Sequence, residues 1–491
     1  MRQYTPKISE TATCKCHLLL LFCSIVAMHI SCKKLIEVDI PVTSTNERNI
    51  YSNDATAAAV LTGIYAQISD MNSDLGRGGL TSVSLYPGLS ADELSLYDLN
   101  VQRYSPYYKN DLTSLIETEV FWNTIYPVIF IANSAIAGLE SAAGLTPSLR
   151  KQLLGEAKFI RAFSYFYLVN LYGNVPLVIV TDYKTTATLP RSSQSQIYEQ
   201  IIVDLKDAEN LLSNSYVKAD AISIYNISSA ERVRPTKWAA TALLSRVYLF
   251  TKDYLNAETA ASAVINHSSF YNLPALNDVF LKNSTEAIWQ LQPVGAGTAS
   301  NTGEGALFIL PNMGPNSNEY PVYLSNHVVN SFETGDNRKN NWTDSIVANG
   351  ITYYYPNKYK IGKMEAPTAE YIMVLRLAEQ YLIRAEARAQ QGNYSGAASD
   401  LNVIRARAGL QKTTAATKSD LLFAILHERK VELFTEWGHR WLDLKRTNII
   451  DAVMSIVTPL KGGAWSPYKG LYPIPQNEIN RNMNLQQNPG Y

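Results

Sequence analysis

Two pairs of predicted helices, each joined by a short polar turn, constrain the fold of this chain more than any other feature. In the first pair, helix 236–250 is followed by helix 254–265. In the second pair, helix 377–390 is followed by helix 394–408, and Gly409 ends the pattern. Apolar residues recur with helical spacing in all four segments, as expected for helices that bury one face. The sequence therefore predicts a mostly α-helical scaffold that contains helical hairpins.

The turns of the two pairs share a short pattern. A polar residue precedes Tyr254 in the first pair and Tyr394 in the second, and alanine follows three positions later, at 257 and 397. This pattern resembles the turn of tetratricopeptide hairpins, in which small alanines let paired helices pack closely. Only these two units are legible, and they lie far apart. They favour a hairpin scaffold over a regular solenoid.

Capping signals predict two further helices between residues 146 and 212. Pro147 lies in the first turn of one of them, and Gly173 follows its last residues, which is the usual arrangement of proline and glycine at helix ends. Ser193 and Gln196 have the spacing of a capping box at the start of the other. Both helices are long enough to belong to the scaffold.

The N-terminal segment 1–31 has the pattern of an export signal that ends at Cys32. Basic residues precede an apolar run of about a dozen residues, which is shorter than the ~20 residues that a membrane-spanning helix needs. A cysteine directly after such a segment resembles a lipobox, in which the thiol is acylated. His29 stands where lipoboxes usually have an aliphatic residue, so an ordinary signal peptide with a chance cysteine is the alternative.

Composition excludes several classes of protein. The other three cysteines lie within residues 1–31, so Cys32 is the last cysteine of the chain and a mature form has no disulfide. The 43 basic and 43 acidic residues balance, and no basic stripe predicts a nucleic-acid partner. Tyrosine is frequent, with 31 residues against 13 phenylalanines. Tyrosine suits polar ligand surfaces because it combines an apolar ring with a hydroxyl group.

Long segments without helical periodicity interrupt the helices at 71–110 and 266–360. Both segments are rich in proline and glycine and carry many aromatic residues. Irregular segments of this length within a helical protein are usually functional or disordered, and their aromatic content argues against disorder. We expect these segments to form the ligand-binding loops.

No catalytic or metal-binding motif is legible. His427-Glu428 would begin a zinc-protease motif, but the second histidine is absent because residue 431 is valine. Glu428, Glu432 and Glu436 are spaced to share one helix face, and we interpret that face as ion-paired or solvated rather than catalytic. We predict no catalytic residue, no metal and no cofactor.

Several sequence blocks together resemble the SusD/RagB family, which comprises lipid-anchored outer-membrane glycan-binding proteins of Bacteroidota. Their order and spacing cover nearly the whole chain that follows Cys32. The blocks are GEAKFIRA at 155–162 continuing to 177, RLAEQYLIRAEA at 376–387 continuing to 409, ERKVEL at 428–433 with GHRWLDLKR at 438–446, and LYPIP at 471–475 with QNPGY at 487–491.

The resemblance implies a fold, a partner and a location. It implies one compact tetratricopeptide-like fold that captures oligosaccharide or polysaccharide outside the cell, or in some members peptide or glycoprotein material. It also implies delivery of this material, without catalysis, to a SusC-like TonB-dependent transporter. It also implies lipidation at Cys32 and attachment to the outer membrane. The predicted regions are a signal peptide at 1–31, a tether at 32–52, an N-terminal region at 53–230, a middle hairpin and loop region at 231–330, and a C-terminal region at 331–491.

Sugar rings stack on aromatic side chains, while polar side chains bind their hydroxyl groups. We therefore predict ligand binding by loop aromatics and nearby polar residues, and we expect alanine at Tyr97 or Trp289 to abolish glycan binding without loss of stability. The predicted residues are Tyr97, Tyr104, Trp289, Tyr320, Tyr323 and Trp342, with Asp92, Asn100 and Arg103 as hydrogen-bonding groups.

Two other functions fit the same sequence. One is a scaffold lipoprotein that uses its helical hairpins to hold assembly machinery and binds no small ligand. The other is a surface glycosidase, since glycoside hydrolysis needs only two suitably spaced carboxylates. A scaffold would have short loops, whereas this chain has long aromatic ones. A glycosidase would release new reducing ends from a polysaccharide.

Overall fold

Helices dominate the structure, a computed structural model that describes residues 50–69, 79–115, 119–294, 301–362 and 366–491. The predicted signal peptide, Cys32 and most of the tether lie outside the described residues. The helices are α1 Asp54–Ile68, α2 Gly79–Ser82, α3 Tyr86–Ser90, α4 Ser105–Tyr108, α5 Glu119–Ser141, α6 Pro147–Tyr172, α7 Tyr183–Thr186, α8 Gln194–Leu211, α9 Lys237–Phe250, α10 Tyr254–Ile265, α11 Gly303–Phe308, α12 Asn326–Val329, α13 Asn337–Trp342, α14 Leu377–Gln390, α15 Tyr394–Arg407, α16 Lys418–Glu432, α17 His439–Arg446, α18 Ile450–Leu460 and α19 Gln476–Arg481.

Both predicted hairpins are present, as α9–α10 and α14–α15. The side chain of Asp253 accepts the backbone N–H of Asn256 at the start of α10, and Asn393 caps α15 in the same way. Ala257 and Ala397 are fully buried at the helix contacts. The shared turn pattern therefore has the structural role that the sequence predicts, and the mostly α-helical fold class is confirmed.

The long helices pack against one another in a continuous series. The contacts run from α5 to α6, α8, α9, α10 and α14, which then packs against both α15 and α16. The capping box at Ser193 and Gln196 forms at the start of α8. Among the described helices, α5 is long and apolar enough to cross a membrane, but it is largely buried and packs against α6. Residues 51–491 form one compact unit, and the predicted internal boundaries stay a prediction.

The segment 266–360 is more regular than predicted, because four strands lie within it. Each described sheet has two antiparallel strands, and the pairs are β1–β5, β2–β3, β4–β8 and β6–β7. The strands are β1 Leu94–Leu96, β2 Val175–Pro176, β3 Arg191–Ser192, β4 Ala287–Leu291, β5 Val322–Leu324, β6 Thr343–Ala348, β7 Ile351–Pro356 and β8 Ile372–Arg376.

A buried network of ion pairs joins α16 to the strands. The Arg376 guanidinium contacts Glu286 at 2.7 Å, Glu432 at 2.6 Å and Glu436 at 2.7 Å, and all four side chains are almost completely buried. The interpretation of the glutamates as ion-paired is correct, but the shared helix face is not. α16 ends at Glu432, so Glu436 lies beyond the helix. Arg376 contacts Glu432 and Glu436, whereas Glu428 pairs with Arg338 at 2.6 Å.

A buried carboxylate, Glu304, provides a prediction of pH dependence. Burial raises the pKa of Glu304 to about 7, although it accepts a hydrogen bond from Ser84 at 2.8 Å. The folded protein therefore holds a proton that the unfolded chain releases above pH 4.5, so this group destabilises the fold progressively as the pH rises towards 7.

We expect Glu304→Gln to remove this pH dependence. The free energy of unfolding of the variant minus that of the unaltered protein should rise by about 2–3 kcal/mol between pH 4.5 and pH 8. Urea unfolding monitored by circular dichroism at a series of pH values measures the difference. A constant difference across that range would contradict the assigned role of Glu304.

Candidate functional site

Two short strands form the base of the candidate site. β1 pairs with β5 so that Ser95 lies opposite Tyr323. The residues on either side of Ser95 and Tyr323 in the two strands are buried, whereas Ser95 and Tyr323 are half-buried. Because successive side chains of a strand point to opposite faces, Ser95 and Tyr323 lie together on the outer face of the pair.

Tyr353 lies on the β6–β7 hairpin and joins that hairpin to this face. Its ring is perpendicular to that of Tyr323, with centroids 5.0 Å apart, and it meets the ring of Tyr97 edge-on at 6.1 Å. Tyr353 itself is buried among residues of the β6–β7 hairpin, and Tyr320 is half-buried against the same cluster. The ring of Tyr97 is 42% exposed. We call the group Tyr97, Tyr320, Tyr323 and Tyr353 the tyrosine face.

Hydrogen bonds accepted by the side chains of Asp98 and Asn316 fix the loops that carry these rings. The Ser317 hydroxyl donates to the carboxylate of Asp98 at 2.8 Å and so joins the loop before β5 to the segment after β1. The Asn316 side chain accepts the backbone N–H groups of residues 318 and 319. The backbone N–H of Asn100 and the Ser317 hydroxyl lower the pKa of Asp98, so its carboxylate is charged at neutral pH.

Ser95 lies near two phenol groups at the base of the face. Its side chain lowers the pKa of the Tyr108 and Tyr323 hydroxyls, but burial has the larger effect. Burial raises the pKa of both phenols, so both remain protonated and can donate hydrogen bonds. The face therefore combines aromatic rings with neutral hydroxyl groups and one nearby carboxylate, a combination that suits a ligand with both apolar faces and hydroxyl groups.

The structure brings three predicted ligand residues together: Tyr97, Tyr320 and Tyr323. Asn100 is exposed two residues beyond Asp98 and donates its side-chain N–H to that carboxylate at 3.1 Å. Arg103 is half-buried in the turn that follows. Asn100 and Arg103 therefore lie in the chain segment that follows Tyr97, and neither belongs to the tyrosine face.

The two predicted tryptophans lie in the core, and this corrects their assignment to loops. Trp289 belongs to the fully buried strand β4, and its indole N–H donates to the Val233 carbonyl at 3.0 Å. Trp342 is also fully buried, and its N–H donates to the Leu276 carbonyl at 2.9 Å. Neither ring offers an exposed face for a sugar, and we expect alanine at either position to destabilise the fold.

Tyr104 and Asp92 are also buried and contact other buried residues. Tyr104 is 6% exposed, and its ring lies 6.0 Å from that of Tyr86. Asp92 is buried and forms two hydrogen bonds with Arg440, at 2.7 and 2.9 Å. Burial disfavours the charged carboxylate, but Arg440 and then Lys430 outweigh it and lower the pKa of Asp92. The Asp92 carboxylate is buried and paired on both oxygens, so a ligand in solvent cannot reach it and Asp92 is not carried into the candidate site.

Tyr353 and Asp98 are part of the site but were not predicted from the sequence. A signal for Tyr353 exists, because Asn349-Gly350 is a strong hairpin-turn pair, and both residues have positive φ. That turn predicts two strands, and the alternation along the second of them directs Tyr353 and Tyr355 to one side. Among the described residues, no group of three or more His, Cys, Asp or Glu side chains is placed to hold a metal ion.

Comparison with known proteins identifies the family. The model of the SusD family matches residues 313–491, and a second model, described as "Starch-binding associating with outer membrane", matches residues 94–249. The chain belongs to the SusD/RagB family. The tyrosine face of this SusD/RagB protein draws Tyr97 from the second matched segment and its other three tyrosines from the first.

Similar proteins cover most of this SusD/RagB chain. A SusD-like protein of Formosa agariphila is 27% identical over 92% of this chain and 95% of its own. The starch-binding protein SusD of Bacteroides thetaiotaomicron is 25% identical over 72% of this chain and 75% of its own.

Solved structures show the same fold. A SusD superfamily protein of Bacteroides thetaiotaomicron has a TM-score of 0.74 at 25% identity, and covers 89% of this chain and 100% of its own. A laminarin-binding SusD-like protein has a TM-score of 0.73 at 22% identity, with the same coverage of both chains. These likenesses support the tetratricopeptide-like architecture of the fold.

Proposed function

We propose that this protein is a cell-surface lipoprotein that binds oligosaccharides or polysaccharides. The observation that carries the proposal is the tyrosine face, where Tyr97 and Tyr323 present rings beside hydroxyl and carboxylate groups. The rings would stack on the C–H faces of sugars, while Ser95 and Asp98 lie close enough to the rings to bind sugar hydroxyls. Membership of a family with starch- and laminarin-binding relatives supports the same ligand class.

The geometry suits capture and release rather than tight retention. Tyr97 is nearly half exposed on the outer side of the β1–β5 pair, so a sugar on it would keep contact with solvent. Binding by an open surface forfeits part of the apolar burial that an enclosed pocket provides. We propose that the bound glycan is passed to a SusC-like TonB-dependent transporter in the outer membrane, without catalysis.

Affinity electrophoresis tests the proposed function. The unaltered protein should migrate more slowly in gels that contain a bound polysaccharide, with soluble starch and laminarin as the first probes because relatives bind them. Incubation with each retarding polysaccharide should release no new reducing ends. Failure of a broad polysaccharide panel to retard the protein would favour the scaffold alternative, and release of reducing ends would favour the glycosidase.

Lipid attachment at Cys32 gives a separate prediction. Cys32→Ala should move the protein from the membrane fraction to the soluble fraction, because each buried CH₂ of an acyl chain contributes about 0.8 kcal/mol to membrane binding. Cys23→Ala is the matched control, since residue 23 lies inside the predicted signal peptide and is removed with it. Immunoblots of fractionated cells and labelling with a palmitate analogue measure the effect. Unchanged labelling of the Cys32 variant would exclude lipidation at that position.

A further inference from the structure

A second concave surface lies between α5, the segment that follows β2, and α19. Its volume is about 820 Å³, within the roughly 300–1,000 Å³ of small-molecule sites. Trp122, Tyr126 and Tyr183 contribute aromatic rings to it, and Glu478 and Arg481 contribute charged groups. We call this surface the Tyr183 cleft. It is built from elements different from those of the tyrosine face.

The aromatic side of the Tyr183 cleft combines an exposed ring with a fixed pair of rings. Tyr183 begins α7, and its side chain is 80% exposed. The Asp182 side chain caps this short helix by accepting two backbone N–H groups, which fixes the backbone that carries Tyr183. Trp122 and Tyr126 pack together with centroids 4.8 Å apart, and the Tyr126 hydroxyl donates to the Pro176 carbonyl at 3.0 Å.

The polar side of the cleft carries balanced charge. Arg481 and Glu478 form an ion pair of 2.8 Å, and the Arg481 side chain is 75% exposed. Arg481 has five N–H donors, more than one carboxylate contact uses, and Glu478 retains acceptor capacity. Because the pair has no net charge, the cleft favours an uncharged ligand that both donates and accepts hydrogen bonds over an anion such as phosphate.

We propose that the Tyr183 cleft is a second carbohydrate-binding site, for a neutral oligosaccharide segment. The proposal rests on the proposed glycan-binding function and extends it to two sites on one chain. A sugar ring would stack on Tyr183, with its hydroxyl groups bound by Arg481 and Glu478. Two sites on one chain can bind the same polysaccharide, so the second contact becomes intramolecular and strengthens the overall binding.

The test compares Tyr183→Ala with the control Tyr394→Ala, which removes an exposed tyrosine of α15 that does not line the cleft. Affinity electrophoresis uses laminarin or soluble starch, whichever retards the unaltered protein. We expect Tyr183→Ala to weaken the apparent affinity by about tenfold or more, and Tyr394→Ala to leave it unchanged. Calorimetric titration with laminarihexaose or maltohexaose should show a stoichiometry of about two that falls to about one in Tyr183→Ala.

Each other outcome would overturn the proposal. Unchanged affinity and stoichiometry in Tyr183→Ala, or an equal loss in the control, would exclude a sugar site in the cleft. If Tyr183→Ala bound glycan as well as the unaltered protein does but lost a membrane protein that co-purifies with the unaltered protein, the cleft would be assigned to protein docking. If the unaltered protein binds none of these glycans, the proposed function itself fails, and that result is distinct from a failure of the Tyr183 cleft alone.

Discussion

Alanine at Tyr97 should weaken glycan binding about tenfold or more, which corresponds to a loss of about 1.4–2 kcal/mol, as expected for an aromatic residue that dominates a binding surface. Tyr97 is 42% exposed and meets Tyr353 only edge-on, so its removal should leave the melting temperature nearly unchanged. Combining Tyr97→Ala with Tyr323→Ala should remove most of the retardation that the tyrosine face produces. Calorimetric titration with a short oligosaccharide of the retarding polysaccharide measures each affinity.

Two controls separate stacking from structural damage. Tyr97→Phe keeps the ring and should retain most of the affinity, because stacking needs the ring rather than the hydroxyl. Tyr394→Ala removes a partly exposed tyrosine of α15, outside the tyrosine face, and should leave the affinity unchanged. If Tyr97→Phe lost as much affinity as Tyr97→Ala, a hydrogen bond from the hydroxyl would be the main interaction. If Tyr97→Ala had no effect, the tyrosine face would not be the binding site.

Replacing Arg376 with methionine should lower the free energy of unfolding by about 3–5 kcal/mol. The substitution removes the cation that Glu286, Glu432 and Glu436 share. Arg407 still pairs with Glu286 and Glu432, and Lys358 with Glu436, but the buried cluster is left one positive charge short, which costs more than the ion pairs contribute. Arg376→Lys should recover only part of the loss, because an ammonium group cannot match the fixed fork of a guanidinium. Urea unfolding measures both variants.

Arg481→Ala is the matched control for Arg376, because it removes an arginine from an exposed ion pair. Its side chain is 75% exposed beside Glu478, and exposed pairs contribute at most about 1 kcal/mol. A loss in Arg376→Met no larger than that of Arg481→Ala would contradict the role assigned to the buried network. Such a result would mean that the neighbouring cations compensate the three carboxylates without Arg376.

The helical hairpins could be predicted because their signals are local. In each hairpin, the cap residue, Asp253 or Asn393, lies only four positions before the buried alanine, which is about one helical turn. The ion-pair network could not be predicted, because Arg376 lies 56 residues before Glu432. The prediction that Glu436 shares a helix with Glu428 was wrong despite favourable side-chain spacing. α16 ends at Glu432, and the positive φ of Thr435 and Trp437 is incompatible with a helix through Glu436.

The candidate site could be predicted only in part. Tyr97, Tyr320 and Tyr323 follow from the aromatic content of irregular segments, and the structure places them together. Trp289 was misassigned because the proline- and glycine-rich segment around it conceals a short, fully buried strand. Tryptophan suits both a sugar platform and a protein core, so residue type alone does not distinguish the two, whereas burial does.

A crystal structure of the protein with a bound oligosaccharide tests the central claim most directly. The oligosaccharide should be a fragment of whichever polysaccharide retards the protein in affinity gels. We expect a sugar ring against Tyr97 or Tyr323, with hydroxyl groups in hydrogen-bonding contact with Ser95 or Asp98. An oligosaccharide bound elsewhere at saturating concentration, with the tyrosine face empty, would contradict it.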